Sequence, residues 1–539
     1  MSKQKCFILA AFLLLSCTQL EEPQVPPIPH YFEPWEDMPE LFHYVQTDRV
    51  FADSKTFVDY MAKEAPILIE EQFDSLSGEG DIDIEAFLKL HFEAPPLFAS
   101  PAPVDTLQSM QEHLEGFWEQ LVRQPTADDG LHSTLIHLPG PYVVPGGRFR
   151  EIYYWDSYFT MQGLAVSGRE DLLIAMLDNF AWLIDEEGYI PNGNRSYYLG
   201  RSQPPFFAGM IELLEASNPA AAAKYLPQLA KEHAFWMDGA QELSPAAPEH
   251  RRVVMLGEGM VLNRYYDDKT GPRPESYRED IALAGDLPGK EERNALYRNL
   301  RAACESGWDF SSRWLADPDD LASIRTTRII PVDLNCLLYR MELLLSHLYE
   351  GRGEVQLANR FASIAEFRKE AILTYCWDSR RAIFSDYDVD SQRPTGKLTA
   401  AGMLPLYLGI ADQAKADAMI KQVLEQLRFA GGIASTTVAS GQQWDYPNGW
   451  APQQWMAIEG LARYGHEKEA QAIAHDWLRL NDKVFRQSGK MMEKYNVADL
   501  HAKDGGGEYP TQDGFGWTNG VALALIERYG MPAAETENE

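Results

Sequence analysis

The stretch LNCLLYRMELLLSHLY, residues Leu334–Tyr349, decides the fold class of this 539-residue chain. Its apolar side chains surround a helix nearly all the way, which predicts a helix buried on every side. Strand-like alternation is scarce, with Arg252–Leu256 as a candidate short strand, and no linker-like break interrupts the chain between about 60 and 525. We therefore expect an all-α protein whose paired helices close into one toroid with long loops. Further helices are predicted at Asp171–Asp185, Glu354–Thr374, Asp412–Arg428, Trp455–Tyr464 and Glu467–Leu480.

The composition excludes several classes of function. The net charge of −32 argues against a nucleic-acid surface, which needs clustered Lys and Arg. The five cysteines show neither a CxxC pair nor the spacing of a disulfide framework. The sequence also lacks HExxH, GxSxG and GxxxxGK[ST], so zinc-protease, α/β-hydrolase and P-loop chemistry are not supported. A soluble protein with a small neutral partner fits these constraints.

The N-terminus has the pattern of an export signal. Lys3 and Lys5 precede an apolar run, Phe7–Leu15, that is too short to span a bilayer. The run ends in Leu-Leu-Ser-Cys, which resembles a bacterial lipoprotein signal with Cys17 as the lipidated residue; a plain signal peptide is the alternative. We expect a signal at 1–16, a proline-rich tether at 17–39, one catalytic domain at 40–530 and an acidic tail at 531–539. The protein is then exported, to a periplasm, with a lipid anchor if Cys17 is modified.

Six loops share a composition suited to binding a sugar. Each mixes Trp or Tyr with charged or polar residues, and most add Gly or Pro. Aromatic rings stack on the C–H faces of a pyranose, while Arg, Asn, Asp and Glu pair with its hydroxyls. The alternative is that these tryptophans fill packing gaps between helices. The loops are Pro145–Tyr158, Pro191–Pro205, Gly271–Tyr277, Ser306–Trp314, Gln443–Pro452, and Met492–Asn496 with Gly505–Trp517.

Carboxylates remain as the candidate catalytic groups. Glycoside hydrolysis needs one protonated acid and one ionised partner. Asp309 lies between Trp308 and Phe310, an apolar setting that favours the protonated form. Glu493 lies in a loop-like stretch before Gly-rich sequence and is the candidate base. Either could instead be a helix cap or a surface carboxylate, and spacing alone does not pair them.

PGGRFREIYYWDSY (Pro145–Tyr158) and QWDYPNGWAP (Gln443–Pro452) resemble the two signature motifs of trehalases of glycoside hydrolase family 37. The blocks DRVFADSKTFVD, PNGNRSYYLGRSQPP, GPRPESY, SGWDFSSRW, EKYN and GGGEYPTQDGFGWTNG are similar to that family in the same order, so the resemblance runs from about 40 to 525. It implies an (α/α)6 barrel and hydrolysis of α,α-trehalose with inversion, without metal or organic cofactor. It is the periplasmic bacterial type that the chain resembles most.

Carried over residue by residue, the resemblance implies Asp309 as general acid and Glu493 as general base. The Gly-rich loop around Glu508 is similar to the family's lid over the bound disaccharide. The implied substrate contacts are Arg148, Phe149, Tyr153, Trp155, Asp156, Asn192, Arg201, Gln203, Arg273, Glu275, Gly307, Trp444, Asp445 and Glu508.

Three other functions stay open at this stage. The chain could hydrolyse another small α-glucoside, bind a sugar without cleaving it, or serve as a structural surface protein. An opposed acid and base have no use in a binding module, which favours the hydrolase. We expect trehalose as the only small-molecule partner, no nucleic acid, and a monomer.

Overall fold

The computed structural model describes residues 31–78, 82–95, 108–125, 131–501, 512 and 514–533. Backbone contacts separate residues 1–31, almost wholly outside that description, from a compact unit at 32–539. This unit begins before the expected domain start at residue 40, because Phe32 and Met38 are already buried in it. The predicted signal segment, Cys17, most of the tether and Glu508 lie outside the described residues.

The described residues form a largely helical body, in which helix accounts for 55% and short strands for 11%. The helices are α1 (Pro34–Asp37), α2 (Pro39–Thr47), α3 (Lys55–Val58), α4 (Pro66–Ser77), α5 (Ile84–His91), α6 (Met110–Leu121), α7 (Tyr154–Val166), α8 (Glu170–Glu187), α9 (Phe207–Glu215), α10 (Pro219–Ala222), α11 (Leu226–Trp236), α12 (Tyr277–Ala284), α13 (Lys290–Glu305), α14 (Val332–Gly351), α15 (Val355–Tyr375), α16 (Leu404–Tyr407), α17 (Gln413–Gln426), α18 (Ala451–Arg463), α19 (Glu467–Ser488) and α20 (Gly516–Tyr529). The strands are β1 (Met61–Ala62), β2 (Phe92–Glu93), β3 (Val122–Arg123), β4 (Tyr142–Val143), β5 (Glu249–His250), β6 (Val253–Met255), β7 (Val261–Asn263), β8 (Ile329–Ile330), β9 (Trp377–Asp378), β10 (Ile383–Phe384), β11 (Tyr387–Asp388), β12 (Arg393–Pro394), β13 (Arg428–Phe429), β14 (Gly432–Ile433), β15 (Asn448–Trp450) and β16 (Lys494–Asn496).

The helices form two concentric layers. Within the described residues, α7, α9, α14, α16, α18 and α20 contact one another in that order, and α20 packs back against α7 to close the ring. The helices α6, α8, α11, α15, α17 and α19 alternate with them along the chain and form the outer layer. The predicted (α/α)6 barrel is therefore confirmed, with one inner and one outer helix in each of its six pairs.

Burial explains which helices lie inside. The inner helix α14 is buried on all sides through most of its length, as its apolar sequence predicts. The inner helices α7 and α20 approach closely because Gly163 faces Gly520; a Cβ at Gly163 would lie 2.5 Å from the Cα of Gly520. The outer helix α19 instead buries one stripe that includes Ile473, Trp477 and Leu480.

An N-terminal arm, residues 32–95, packs against the loops at one end of the barrel. Its helices and turns share one apolar cluster with Tyr153, Tyr197 and Tyr198, which belong to the barrel loops. Arg278 holds the arm by donating to the carbonyls of Phe51 and Ala52, at 3.2 and 2.7 Å. The arm therefore brings residues from the start of the chain to the same end of the barrel as the predicted site.

Candidate active site

A cavity lies where the segments leading into the inner helices α7, α9, α18 and α20 converge. Every predicted catalytic or substrate-contact residue lines it except Asp445, which is buried beside it, and Glu508, which lies outside the described residues. The lining residues are Asp53, Ser54, Lys55, Arg148, Phe149, Tyr153, Trp155, Asp156, Asn192, Tyr198, Arg201, Gln203, Arg273, Glu275, Ser276, Glu279, Cys304, Gly307, Asp309, Trp444, Trp450, Glu493, Phe515 and Trp517.

The segment that carries Asp309, residues 306–314, reaches the cavity through a glycine turn. Gly307 has φ +72°, and a Cβ there would lie 2.7 Å from the Trp155 ring, so the position requires glycine. The side-chain amide of Gln443 donates to the Asp309 carbonyl. Glycine at position 307 thus lets the backbone pass close to the Trp155 ring. The resemblance implied a substrate contact at Gly307 and gave no indication of this packing role.

Arg313, which belongs to this segment, anchors it to two buried carboxylates. The Arg313 guanidinium donates to both oxygens of Asp333, at 2.7 and 2.9 Å, and to both of Asp386, at 2.8 and 2.7 Å. It also lies over the rings of Trp308 and Trp314, 4.8 and 4.3 Å from their centroids. These two tryptophans, predicted from the loop composition to serve a sugar site, therefore hold the acid-bearing segment instead.

Asp445 fixes the same segment. Its carboxylate accepts hydrogen bonds from the hydroxyls of Ser311, Ser312, Thr436 and Ser440 and from the Ser312 backbone N–H at 2.8 Å. The side chain is fully buried and does not line the cavity. In this structure Asp445 holds the backbone of the acid-bearing segment, and the substrate contact implied by the resemblance stays a prediction.

The segment that carries Glu493 is held by strand pairing, by a backbone hydrogen bond to Gln512 and by the Trp517 side chain. The strand β16 pairs antiparallel with β15, which places Lys494 opposite Trp450. The Glu493 N–H donates to the Gln512 carbonyl at 3.0 Å, and the Trp517 indole N–H donates to the Glu493 carbonyl at 2.9 Å. The Gln512 side chain accepts from the Arg148 N–H at 2.9 Å, so one residue connects the first signature motif to the base.

A third carboxyl lies near the predicted pair. Burial, and then the charges of Glu493 and Asp309, raise the pKa of Asp156 well above its ordinary value. The raised pKa favours the protonated form of Asp156, which can then donate a hydrogen bond. Neighbouring carboxyls whose environments push their pKa values apart are typical of sites that use an acid and a base.

Another part of the cavity wall carries arginines paired with carboxylates. Arg201 donates to Asn192 at 3.1 Å and to Glu275 at 2.6 Å, and Arg273 forms an ion pair with Asp280 at 2.7 Å. Burial acts to raise the pKa of Glu275, but the charges of Arg201, Arg273 and Arg301 outweigh it and leave the pKa lowered. Among the described residues, Glu275 Oε2 and Arg201 Nη1 have no hydrogen-bond partner. Glu275 lines the cavity, so its Oε2 can accept from a ligand hydroxyl, whereas Arg201 Nη1 lies 3.5 Å from Asp267 Oδ2 in an ion pair.

Four tryptophans make the apolar side of the cavity. Trp444 stacks on Trp450 with centroids 3.8 Å apart, and Trp155 and Trp517 pack edge-on or tilted around them. All four rings line the cavity and brace one another, so together they form a rigid apolar surface against which a pyranose ring can pack.

Comparisons with known proteins agree on one family. The family model described as Trehalase matches residues 49–530, nearly the whole of the compact unit. The chain belongs to the trehalase family. It is accordingly a glycoside hydrolase that cleaves α,α-trehalose.

Solved structures support the same assignment. The neutral trehalase of Saccharomyces cerevisiae is 26% identical, with a TM-score of 0.60 over 79% of this chain and 80% of that chain. A mannosylglycerate hydrolase from Thermus thermophilus is 18% identical, with a TM-score of 0.51 over 77% of this chain and 100% of its own, and shows the fold alone.

The trehalase motifs did not indicate the contribution of the N-terminal arm. Lys55 is buried, and its ammonium lies 2.7 Å from Asp59 and 2.9 Å from Glu151. Glu151 in turn accepts from the hydroxyl of Tyr153 at 2.7 Å. Arm and barrel are thus joined by a buried ionic cluster that reaches the cavity wall at Lys55 and Tyr153. Asp53–Lys55 do belong to one of the blocks that resemble the family. Their spacing in the sequence, however, did not indicate what these residues do.

Other residues that sequence reasoning missed lie inside the trehalase blocks, at Tyr198, Lys494 and Phe515. The described residues contain no group of three or more His, Cys, Asp or Glu able to hold a metal ion. In that same part of the chain, no helix combines the length and apolar character needed to cross a bilayer.

Proposed function

We propose that this trehalase inverts the attacked anomeric carbon, with Asp309 as general acid and Glu493 as general base. The observation that carries the proposal is the convergence of these two carboxyls on one cavity from segments far apart in sequence. Asp156, which lines the same cavity, adds a carboxyl whose pKa is raised by burial and by the charges of Glu493 and Asp309.

The reaction follows from this arrangement. Asp309 donates its proton to the oxygen that bridges the two anomeric carbons as the C–O bond breaks. Glu493 takes a proton from a water molecule, whose oxygen attacks the opposite face of the ring. One glucose leaves with its α configuration, and the other forms as the β anomer. At the end of the cycle Asp309 is ionised and Glu493 protonated, and one proton exchange with solvent restores both.

The two walls would divide the work of binding. The tryptophan faces would pack on the C–H surface of the sugar rings, while Arg201 and Glu275 pair with hydroxyls. The fixed partners discriminate against a substrate whose hydroxyls point elsewhere, since a mismatch leaves buried polar groups unpaired. This supports specificity for trehalose over other small α-glucosides.

A substrate panel tests specificity. The purified protein is incubated with α,α-trehalose, maltose and sucrose, and glucose release is followed over time. We expect release from trehalose alone. Comparable release from maltose or sucrose would favour the broader α-glucosidase, and binding of trehalose without release would favour a sugar-binding protein.

We further propose that Glu508 contacts the bound disaccharide. The support is its place in the Gly-rich block that resembles the family lid. Glu508→Gln should raise KM for trehalose with a smaller effect on kcat. An unchanged KM would remove Glu508 from the set of substrate contacts.

We also propose export to a periplasm as a lipid-anchored monomer. The support is Lys3 and Lys5, the apolar run Phe7–Leu15 and the Leu-Leu-Ser-Cys sequence that ends at Cys17. Mass spectrometry of the mature N-terminus should find a diacylglyceryl group on Cys17, and Cys17→Ser should release the protein from membranes. A mature N-terminus beyond Cys17 would favour the plain signal peptide. Light scattering tests the monomer against the 61.0 kDa mass of the full chain.

A further inference from the structure

Lys494, directly after the proposed base, is buried against it. Its ammonium lies 3.4 Å from Glu493 Oε2 and donates to Gln443 Oε1 at 3.2 Å. The same nitrogen lies 5.1 Å from the centroid of the Trp450 ring. The pairing of β16 with β15 fixes the backbone at Lys494, so the side chain has little freedom to leave this position.

Gln443 extends this contact to the acid. Its amide oxygen accepts from Lys494, and its amide nitrogen donates to the Asp309 carbonyl. The Gln443 carbonyl accepts from Asn448 at 3.0 Å and from the Trp450 indole at 3.2 Å, so the glutamine itself is well held. One chain of hydrogen bonds therefore runs from the Glu493 carboxylate to the backbone of the acid.

The charges around Glu493 make a cation useful there. Asp156 and Asp309 line the same cavity as Glu493, and burial together with the charges of Glu493 and Asp309 raises the pKa of Asp156. Arg201 and Arg273 are engaged in ion pairs with Glu275 and Asp280. The remaining titratable residues that line the cavity are Asp53, Lys55, Arg148, Tyr153, Tyr198, Glu279 and Cys304.

We propose that Lys494 is a positioning residue for the reaction, which holds Glu493 in its ionised form and, through Gln443, in register with Asp309. The proposal rests on the proposed role of Glu493 as general base. It assigns the difference in role between Glu493 and the other two carboxyls to the ammonium that lies beside the base.

The test is the pH profile of kcat/KM for Lys494→Met. Loss of the ammonium should move the acidic limb to higher pH by about one unit, since a charge this close shifts a carboxyl by that order. kcat at the optimum should fall by roughly 10-fold, while KM for trehalose stays within about twofold because Lys494 does not line the cavity. Lys494→Arg, which keeps the charge, should return the limb towards its wild-type position.

Lys397→Met is the matched control. Lys397 is also a lysine held inside the fold, and its ammonium donates to the carbonyls of Ser312 and Leu315 at 2.7 Å, next to the acid-bearing segment. Its removal should lower stability without moving the acidic limb. A folded Lys494→Met protein whose limb stays in place overturns the proposal, as does an equal displacement in Lys397→Met.

Two further variants keep the proposal testable if Lys494→Met does not fold. Lys494→Gln keeps a hydrogen-bonding group for Gln443 without the charge, and should move the acidic limb as Lys494→Met does. Gln443→Met keeps the ammonium of Lys494 but removes the hydrogen bond that holds it. This variant should lower kcat with a smaller displacement of the acidic limb, and a wild-type pH profile would contradict the proposed chain of hydrogen bonds. Glu493→Gln distinguishes failure of the proposed base from failure of the proposed lysine role. If this variant retains activity, Glu493 is not the base. If it is inactive but Lys494→Met leaves the acidic limb in place, only the role of Lys494 is wrong.

Discussion

The segments that carry Asp309 and Glu493 face one cavity but are held in different ways. The acid-bearing segment is built into the core: Arg313 joins it to two carboxylates, and Asp445 takes up its serine hydroxyls. The base-bearing segment is attached by a two-stranded ladder, one lysine contact and the bonds of Gln512 and Trp517.

This difference predicts whether a substitution in each segment should lower stability or turnover. Damage around Asp309 breaks a network of several fully buried charges, so it should lower the stability of the whole barrel. Damage around Glu493 breaks fewer interactions, mostly hydrogen bonds to backbone, so it should lower turnover while the fold persists. The catalytic pair thus combines a rigidly built acid with a locally tethered base.

The largest effects are expected from the carboxyls themselves. Asp309→Asn and Glu493→Gln should each lower kcat on trehalose by about 10³-fold or more, because proton transfer is lost at the reacting atoms. α-Glucosyl fluoride sharpens the comparison, since fluoride leaves without a proton. Asp309→Asn should recover activity on that substrate and Glu493→Gln should not. Recovery by both variants, or by neither, would contradict the assigned roles.

Removal of Arg313 should have the next largest effect. Arg313→Met leaves Asp333 and Asp386 buried without their cation, and should lower the free energy of unfolding by about 3–5 kcal/mol. Denaturant unfolding measures this change. The control is Arg486→Met, which breaks an exposed ion pair with Asp482 on α19 and should cost less than about 1 kcal/mol. Equal losses in the two variants would break the distinction between the segments.

Asp445→Asn tests whether that carboxylate holds backbone or sugar. The change weakens hydrogen bonds from four hydroxyls and one N–H, so we expect a loss of about 1–3 kcal/mol in unfolding free energy. KM for trehalose should change by less than about twofold, because the side chain does not line the cavity. A large rise in KM at unchanged stability would show that Asp445 binds substrate after all.

The smallest change in stability is expected on the base side. Gln512→Ala removes the acceptor of the Arg148 N–H, which should cost about 0.5–1.5 kcal/mol in unfolding free energy. Turnover should fall by up to about 10-fold, because the link between the first signature motif and Glu493 is lost. Thermal unfolding and steady-state kinetics on one preparation give both values. A variant that loses stability but keeps its kcat would place Gln512 among structural residues only.

The sequence predicted the fold class through local signals that the helices themselves carry. The all-round apolar run Leu334–Tyr349 became the buried helix α14, and the amphipathic run Glu467–Leu480 became the outer helix α19. The toroid's closure depends on contacts such as Gly163 against Gly520, which are distant in sequence and have no local signature. The family resemblance supplied that missing information.

The candidate site divides in the same manner. Residue types in the loops indicated a sugar site, and the resemblance placed its members. The division of the tryptophans could not be predicted, because Trp444 and Trp308 have similar neighbours in sequence but only Trp444 lines the cavity. The supporting roles of Lys55, Lys494 and Gln512 could not be predicted either, because each depends on contacts that form only in the folded barrel.

The stereochemistry of the product tests the central claim most directly. The purified protein is mixed with α,α-trehalose, and the anomers of glucose are followed by NMR before mutarotation. Direct attack of water activated by Glu493 predicts equal initial amounts of α- and β-glucose. α-Glucose alone would mean retention through a covalent intermediate and would contradict the roles given to Asp309 and Glu493.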